Sequence, residues 1–332
     1  MDPRSEVSIQ LVMVANNMLR PRGSCVLVTG ATGFLGAALA QDLVTQGFRV
    51  IGASRRAWPE TWEGVSFRRL PSPATSSDHE FDILLDQVDH VVHLAGIAHT
   101  EIKGDAADAY RQANTILSER LARAAANRVS GKFILMSSIR AQCGSVANHV
   151  VREIDPPHPT DLYGQSKLAA EQAVAAILRP QHYTILRPVA VYGPGVKGNF
   201  KHLLKLARLP VPLPLASLTE RRSFLAYSSL CRAITHCLTN HQTDGNIYNV
   251  ADKSPVTVGE AIVALRHGFR QRGLLFQCPP SVLKRCALLL GQSKRWETLS
   301  GPLLVSSGSL EKTGWRPVTE TLTELRKMAR AL

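Results

Sequence analysis

The stretch Cys25-Val26-Leu27-Val28-Thr29-Gly30-Ala31-Thr32-Gly33-Phe34-Leu35-Gly36 joins an apolar run to glycines at 30, 33 and 36, and Ala37-Ala38-Leu39-Ala40 continues it with good helix formers. The pattern reads as strand, glycine turn, helix. A backbone that turns sharply off a buried strand and carries no side chains at the bend lets a pyrophosphate approach the positive end of the following helix. No Gly-Lys-Ser/Thr follows the glycines, so the phosphate loop of an ATPase or GTPase is excluded and a dinucleotide is the ligand expected here.

The other composition features agree with a soluble α/β enzyme. The chain has 332 residues, 45% apolar and 6% aromatic, enough to bury one large core or two coupled ones. Thirty-nine Lys and Arg against twenty-six Asp and Glu give a net charge of +13. Such a field suits nucleic acid, an anionic membrane or an acidic small substrate. The cations are spread along the chain and no zinc-ligand spacing or RNA-binding signature accompanies them, so nucleic acid is not the expected partner and no metal site is expected. A phosphorylated substrate would use the same field. The six cysteines show no paired CxxC spacing and read as reduced thiols. No run of 18 apolar residues occurs, which predicts a cytoplasmic protein with no integral membrane segment. Residues 1–23 read as an N-terminal extension, since they lack the apolar core and cleavage site of a signal peptide.

Downstream of the glycine turn, Phe48 to Ala53 forms a second apolar strand ending in Ser54-Arg55-Arg56. An acid near this position would meet a free ribose 2′-hydroxyl, whereas a cation suits a 2′-phosphate. NADP(H) is therefore favoured over NAD(H). Residues 60–82 are uninformative. Val88 to Gly96 gives a further strand whose small C-terminal residues, Leu94-Ala95-Gly96, let a dinucleotide pass close to the backbone. Residues 106–126 carry helical periodicity with Asn114 inside it, and Lys132 to Met136 runs into Ser137-Ser138. The C-terminal ends of such strands are where a doubly wound sheet places its chemistry.

Tyr163 and Lys167 stand four residues apart at the start of the next helical pattern and so share one face. A nearby ammonium favours phenolate over phenol and would bring the tyrosine toward working pH, ready to exchange a proton with a carbinol or carbonyl oxygen. Ser138 could hydrogen-bond that same oxygen.

Together these residues resemble the extended short-chain dehydrogenase/reductase family of nucleotide-sugar epimerases, dehydratases and 4-ketoreductases, over nearly the whole chain. The resemblance implies a Rossmann-type doubly wound parallel sheet with a smaller C-terminal substrate-binding lobe. It implies that Tyr163 is the acid/base, that Lys167 holds the nicotinamide ribose, that Ser138 binds the reacting oxygen and that Asn114 supports them. Gly30, Thr32, Gly33, Phe34, Leu35, Gly36, Ser54, Arg55, Arg56, Leu94, Ala95, Gly96 and Pro188 would line the coenzyme along with Tyr163 and Lys167. A narrower similarity, in Val91 to His99, Ser137 to Arg140, Arg187 to Phe200 and Arg221 to Ser223, points to the branch that handles UDP-N-acetyl-6-deoxyhexosamines for surface polysaccharides. That branch usually has an Asp-Asn pair where this chain has Ser228-Ser229.

The expected domains are 24–190 with 224–250 for the nucleotide, and 191–223 with 251–325 for the substrate. In the lobe, Asn199 offers an amide, Phe200 a stacking face, and Arg221 and Arg222 cations for a diphosphate. The expected partner is a UDP-linked sugar, with room for a homodimer. The reading favours net 4-ketoreduction. A UDP-sugar 4-epimerase is the alternative within the enzyme class, and a non-catalytic NADP(H)-binding regulator the alternative outside it.

Overall fold

The computed structural model describes residues 23–56, 62–98, 104–196, 199–317 and 320–332, so the expected N-terminal extension lies almost wholly outside the described residues. Seven parallel strands form one sheet: β1 (Cys25–Thr29), β2 (Arg49–Ser54), β3 (Val65–Arg69), β4 (His90–His93), β5 (Phe133–Met136), β6 (Tyr183–Pro188) and β7 (Ile247–Val250). Their order is β3-β2-β1-β4-β5-β6-β7. The apolar run that opens the glycine stretch becomes the central strand, with Leu27 paired to Ile51 on one side and Val91 on the other. Strand order reverses between β1 and β4, and the divergence of their C-terminal ends leaves a crevice there.

Because side chains alternate along a strand, β1 feeds both faces of the sheet. Val26 and Val28 join Leu39 and Leu43 of α1 (Phe34–Thr45) and Leu230 and Ile234 of a later helix. Cys25 and Leu27 join Leu117 and Leu121 of α3 (Leu117–Arg128) and Val174 of α4 (Leu162–Ile177) on the other face. Each fully buried leucine or valine contributes about 1.5–3 kcal/mol, so the two layers fix the sheet between them. A short helix, α2 (Asp78–Leu84), closes the second layer with a Ser77–Glu80 capping box.

A third cluster forms the lobe. Phe200, Leu203 and Leu204 of α5 (Asn199–Arg208) pack with Phe224, with Ile262 and Leu265 of α7 (Val258–Gly268), and with Leu325 of α10 (Thr321–Arg330). Between these, α6 (Tyr227–Thr239) returns to the sheet, whereas α8 (Pro280–Leu289) and α9 (Ser293–Ser300) lie on the lobe. The boundaries differ from those expected at two places. Leu303, Val305, Leu310 and Trp315 pack into the nucleotide core, because Leu304–Val305 pairs with Val150–Val151 beside the sheet; Phe224 and Ala226 pack into the lobe.

Candidate functional site

The glycine turn brings three backbone segments together. Gly30 has φ +69°, and a Cβ there would lie 2.9 Å from the Ala95 backbone beyond β4. A Cβ on Gly36 would lie 2.3 Å from the Gly30 carbonyl oxygen, so α1 can start directly beneath the turn only with glycine at 36. Thr29 Oγ1 locks β1 to β4 through His93 Nδ1 at 2.6 Å and accepts from Ala95 N at 3.2 Å. Among the described residues no side chain caps the N-terminus of α1, and no acid sits in its first turn. Those amides and the helix dipole are available to an anion, and the bare glycine surface leaves room for one. The residues present therefore fit a dinucleotide pyrophosphate.

At the end of β2, Ser54 is buried and its Oγ lies 2.8 Å from Thr32 Oγ1, while Arg55 and Arg56 are exposed. The register puts Arg69 of β3 directly beside Ser54. Arg55 and Arg69 line a cavity of about 780 Å³ together with Arg68, whose Nη1 is held by the Leu84 and Asp86 carbonyls. Arg69 falls in the stretch that was uninformative in the sequence; only the pairing of β3 with β2 discloses it.

Asn114 lies within a π-helical turn, Arg111–Ile116, between Ala106–Tyr110 and α3. This wide turn interrupts the helix where a buried amide is needed. Asn114 Oδ1 accepts from Ile97 N at 2.9 Å, and its Nδ2 donates to Ile97 O at 3.1 Å and Ser166 Oγ at 2.9 Å. Ser166 in turn donates to the Tyr163 carbonyl at 2.8 Å. A Cβ on Gly96 would fall 2.5 Å from Asn114 Oδ1 and 3.3 Å from Lys167 Nζ, so the glycine beyond β4, the amide and the lysine share one small space.

Ser138 and Tyr163 meet because the loop after β5 lies on the first turn of α4, where a Cβ on Gly164 would lie 2.2 Å from the Arg140 carbonyl oxygen. Asp161 caps that helix through Gly164 N at 2.7 Å and pairs with Arg140, tying the loop to the cap. The Tyr163 hydroxyl hydrogen-bonds the Ser138 side chain. Lys167 is buried and Nζ donates to the Met136 carbonyl at 2.9 Å. Asn114, Ser138, Tyr163 and Lys167 thus converge at the C-terminal edge of β4 and β5.

The electrostatics differ from the sequence expectation. Burial pulls Lys167 down to about 8, partly opposed by Glu171. Burial also raises Tyr163, with the Ser138 hydrogen bond pulling the other way. Burial thus favours proton loss from the Lys167 ammonium ahead of the Tyr163 phenol, the opposite of a lysine that draws the tyrosine down. His93 is pushed down to about 3 by burial, with the Lys167 charge adding to the effect, so it stays neutral and serves as a brace between Thr29 and Ser118.

Behind Lys167 lies a buried pair absent from the sequence-based site. Glu171, one turn beyond Lys167, receives Arg187 Nε at 2.9 Å and Nη2 at 2.5 Å, and Ser137 Oγ donates to the same carboxylate. The i, i+4 spacing of Lys167 and Glu171 was the available signal.

The expected substrate groups are placed differently from one another. The side chain of Asn199 lies outside the described residues. Phe200 does not offer a free stacking face: it is buried, stacked on Tyr192 at 5.6 Å and edge-on to Phe224 at 5.9 Å, because α5 turns its apolar stripe into the lobe. Arg221 is half exposed and its guanidinium is engaged by Glu260 at 3.0 Å and the Pro255 carbonyl at 2.8 Å. Arg222 is buried, bonded to the Gly301 and Ser145 carbonyls, and drawn down to about 10 by burial and by the neighbouring Arg140 cation. Buried Arg140 Nε has no hydrogen-bond partner among the described residues. Where the narrower similarity expects an acid in place of Ser228-Ser229, Asp252 supplies one from beyond β7, accepting from Ser229 Oγ at 2.8 Å, Ala226 N at 2.9 Å and Tyr192 OH at 3.0 Å.

The model of the NAD dependent epimerase/dehydratase family matches residues 26–251. A UDP-glucose 4-epimerase of Vibrio cholerae is 29% identical, over 90% of this chain and 92% of that one. A ceramide reductase of Caulobacter vibrioides is 28% identical, over 90% of this chain and 88% of its own. Among solved structures, MoeE5 in complex with UDP-glucose and NAD shares the fold with a TM-score of 0.70 at 22% identity, over 92% of this chain and 97% of that one.

Proposed function

From the premise that this chain belongs to the NAD dependent epimerase/dehydratase family, matched over residues 26–251, we propose that it is an NADPH-dependent reductase of the 4-keto group of a UDP-4-keto-6-deoxy-N-acetylhexosamine. The observation that carries the reading is the convergence of Ser138, Tyr163, Lys167 and Asn114 beside an uncapped α1, on the crevice where strand order reverses. A non-catalytic binder would need the glycine turn alone. When bound, the nicotinamide supplies the hydride that reduces the sugar carbon.

The chain's own residues do the rest. Ser138 and Tyr163, already joined by a hydrogen bond, hold the keto oxygen between two hydroxyls, and Tyr163 gives its proton to the alkoxide as it forms. A raised phenol pKa suits that direction, since the proton is present at neutral pH to be given. Lys167 donates to the coenzyme ribose, with Asn114 and Gly96 fixing the wall beside it. Arg55 and Arg69, which make no ion pair with any described residue, hold the 2′-phosphate in the adjoining cavity. Where the lobe meets the loop after β5, Arg222 and the Nε of Arg140, whose Nη2 is already paired with Asp161, replace Arg221 as the cations for the diphosphate.

The second reading, a UDP-sugar 4-epimerase, is favoured by the similarity to the Vibrio cholerae enzyme of that name. The two separate in one assay. A panel of UDP-4-keto sugars and C4-epimeric UDP-sugars is incubated with NADPH, NADH or no added coenzyme. Reduction of the keto sugars with equal NADPH consumption is expected; interconversion of the epimers without added coenzyme establishes the second reading.

A further inference from the structure

We infer that the face of the lobe built by residues 274–290 is a docking surface for an anionic lipid bilayer. The cations of this protein are spread along the whole sequence, but the acids are not. Residues 261–296 contain seven Lys and Arg and no Asp or Glu, and residues 199–219, which pair with them, add three more cations and no acid. These two segments are held together in space: Leu213 N donates to Leu274 O at 3.2 Å, Phe276 N to Leu213 O at 2.9 Å, and buried Arg266 clamps the Leu209, Val211 and Leu274 carbonyls.

Across this base, which Glu260 borders while pairing with Arg221, the apolar side chains point the wrong way for a surface facing only water. Leu275 turns inward against the lobe, while its neighbours Leu274 and Phe276 are half exposed. Helix α8 has no buried residue, and its Leu283 leans on the lobe core. At 100° per residue, Val282 and Leu289 project together on the side away from Leu283, with Arg285 and Leu288 beside them. Leu289 is 88% exposed and Leu290 is 73% exposed, the former matched among the large apolar side chains of the described residues only by Ile154. By the same spacing exposed Arg285 falls between Leu288 and Leu289, and exposed Lys284 flanks Leu288 on its other side.

Exposed large apolar side chains gathered on one side of the lobe mark an interaction surface, and the charge around them selects what covers it. A second copy of this chain would bring the same positive field and repel. A bilayer with anionic headgroups supplies both complements, taking the leucines into the acyl boundary while long Lys and Arg side chains reach the phosphates. No described helix is long and apolar enough to cross a membrane, so the attachment is peripheral.

The test is sedimentation of the full chain with phosphatidylcholine vesicles containing or lacking phosphatidylglycerol, with light scattering to report the oligomeric state. Binding only to the phosphatidylglycerol vesicles, lost as salt is raised, is expected. Because each surface cation near an anionic membrane contributes about a fivefold preference, Lys284→Gln with Arg285→Gln should lower partition about 25-fold. Leu288→Gln with Leu289→Gln should lower it at least as much. Arg123→Gln with Arg128→Gln, on the nucleotide half, should leave it unchanged. All six positions are at the surface, and an unaltered melting temperature confirms that each variant is folded. Absence of binding at low salt, equal loss in the α3 control, or an oligomer that dissociates in the leucine variant without vesicle binding would each overturn the inference.

Discussion

The two halves of this molecule respond differently to the same question, which is whether a side chain named from the sequence stands where chemistry could use it. In the nucleotide half, Ser138, Asn114 and the pair Tyr163 and Lys167 come from three separate segments and arrive within one hydrogen-bonded assembly. In the lobe, Phe200 is core and Arg221 is paired with Glu260. The difference lies in what the residues were chosen for. In the first half the backbone itself demands them: glycine where a Cβ would collide, a short amide at a π-turn, a hydroxyl at a strand end. In the second they rest on side-chain type and a narrower similarity, and a phenylalanine or an arginine has many competing uses in a folded protein.

The sharpest way to break the contrast is Tyr163→Phe. The ring and its packing remain and the transferable proton goes, so turnover should fall about 10²- to 10⁴-fold while coenzyme affinity, read by fluorescence titration, is retained. Turnover near the wild-type rate would remove Tyr163 from the mechanism.

Next in size are two buried positions, one in each half. Glu171→Ala strands the Arg187 guanidinium without its partner and should cost about 3–5 kcal/mol of stability by denaturant unfolding. The milder Glu171→Gln removes the carboxylate charge that holds Lys167 up. Lys167 titrates near 8 in the folded chain against 10.5 when free, so the folded state sheds this proton first and the lysine's contribution to stability rises with pH between those values. In Glu171→Gln that window should extend to lower pH, and the alkaline limb of coenzyme binding should move the same way. A pH profile identical to wild type would mean that the carboxylate does not set the lysine. In the lobe, Phe200→Ala should lower stability by about 3–5 kcal/mol, as a buried aromatic lost from a core does. A raised Michaelis constant at unchanged stability would return Phe200 to the substrate.

Smaller effects separate the cations. Arg55→Asp should weaken NADPH about tenfold and leave NADH nearly unchanged, since a charge-assisted bond to the 2′-phosphate contributes about 1.5–3 kcal/mol. Equal losses for both coenzymes would take Arg55 out of that site. Arg221→Ala should change the Michaelis constant for a UDP-sugar less than threefold, because an exposed ion pair is worth about 0–1 kcal/mol, whereas Arg222→Lys should raise it about tenfold. The reverse order would restore Arg221 as the phosphate cation.

Much of the fold was legible because its signals are periodic and local. The β1 run, the glycine spacing and the tyrosine helix each fit inside a short window, and the parallel order follows from alternation of strands with helices. What stayed hidden depended on pairing between distant segments. Arg69 becomes relevant only when β3 lies beside β2, and Asp252 replaces an acid missing at Ser228-Ser229 only because β7 ends next to α6. Likewise, the proton order of Lys167 and Tyr163 is set by burial, which no spacing reports.

The central claim is that this site moves a hydride from an exchangeable NADPH to sugar C4 and does not return it. Isotope transfer reads that directly. The chain is mixed with a UDP-4-keto-6-deoxy-N-acetylhexosamine and NADPH deuterated at one or the other face of the nicotinamide C4, and the product is examined by mass spectrometry. One deuterium at sugar C4 is expected from one of the two labelled coenzymes, with oxidised coenzyme formed in equal amount. Unlabelled C4-epimers with the NADPH untouched would contradict it.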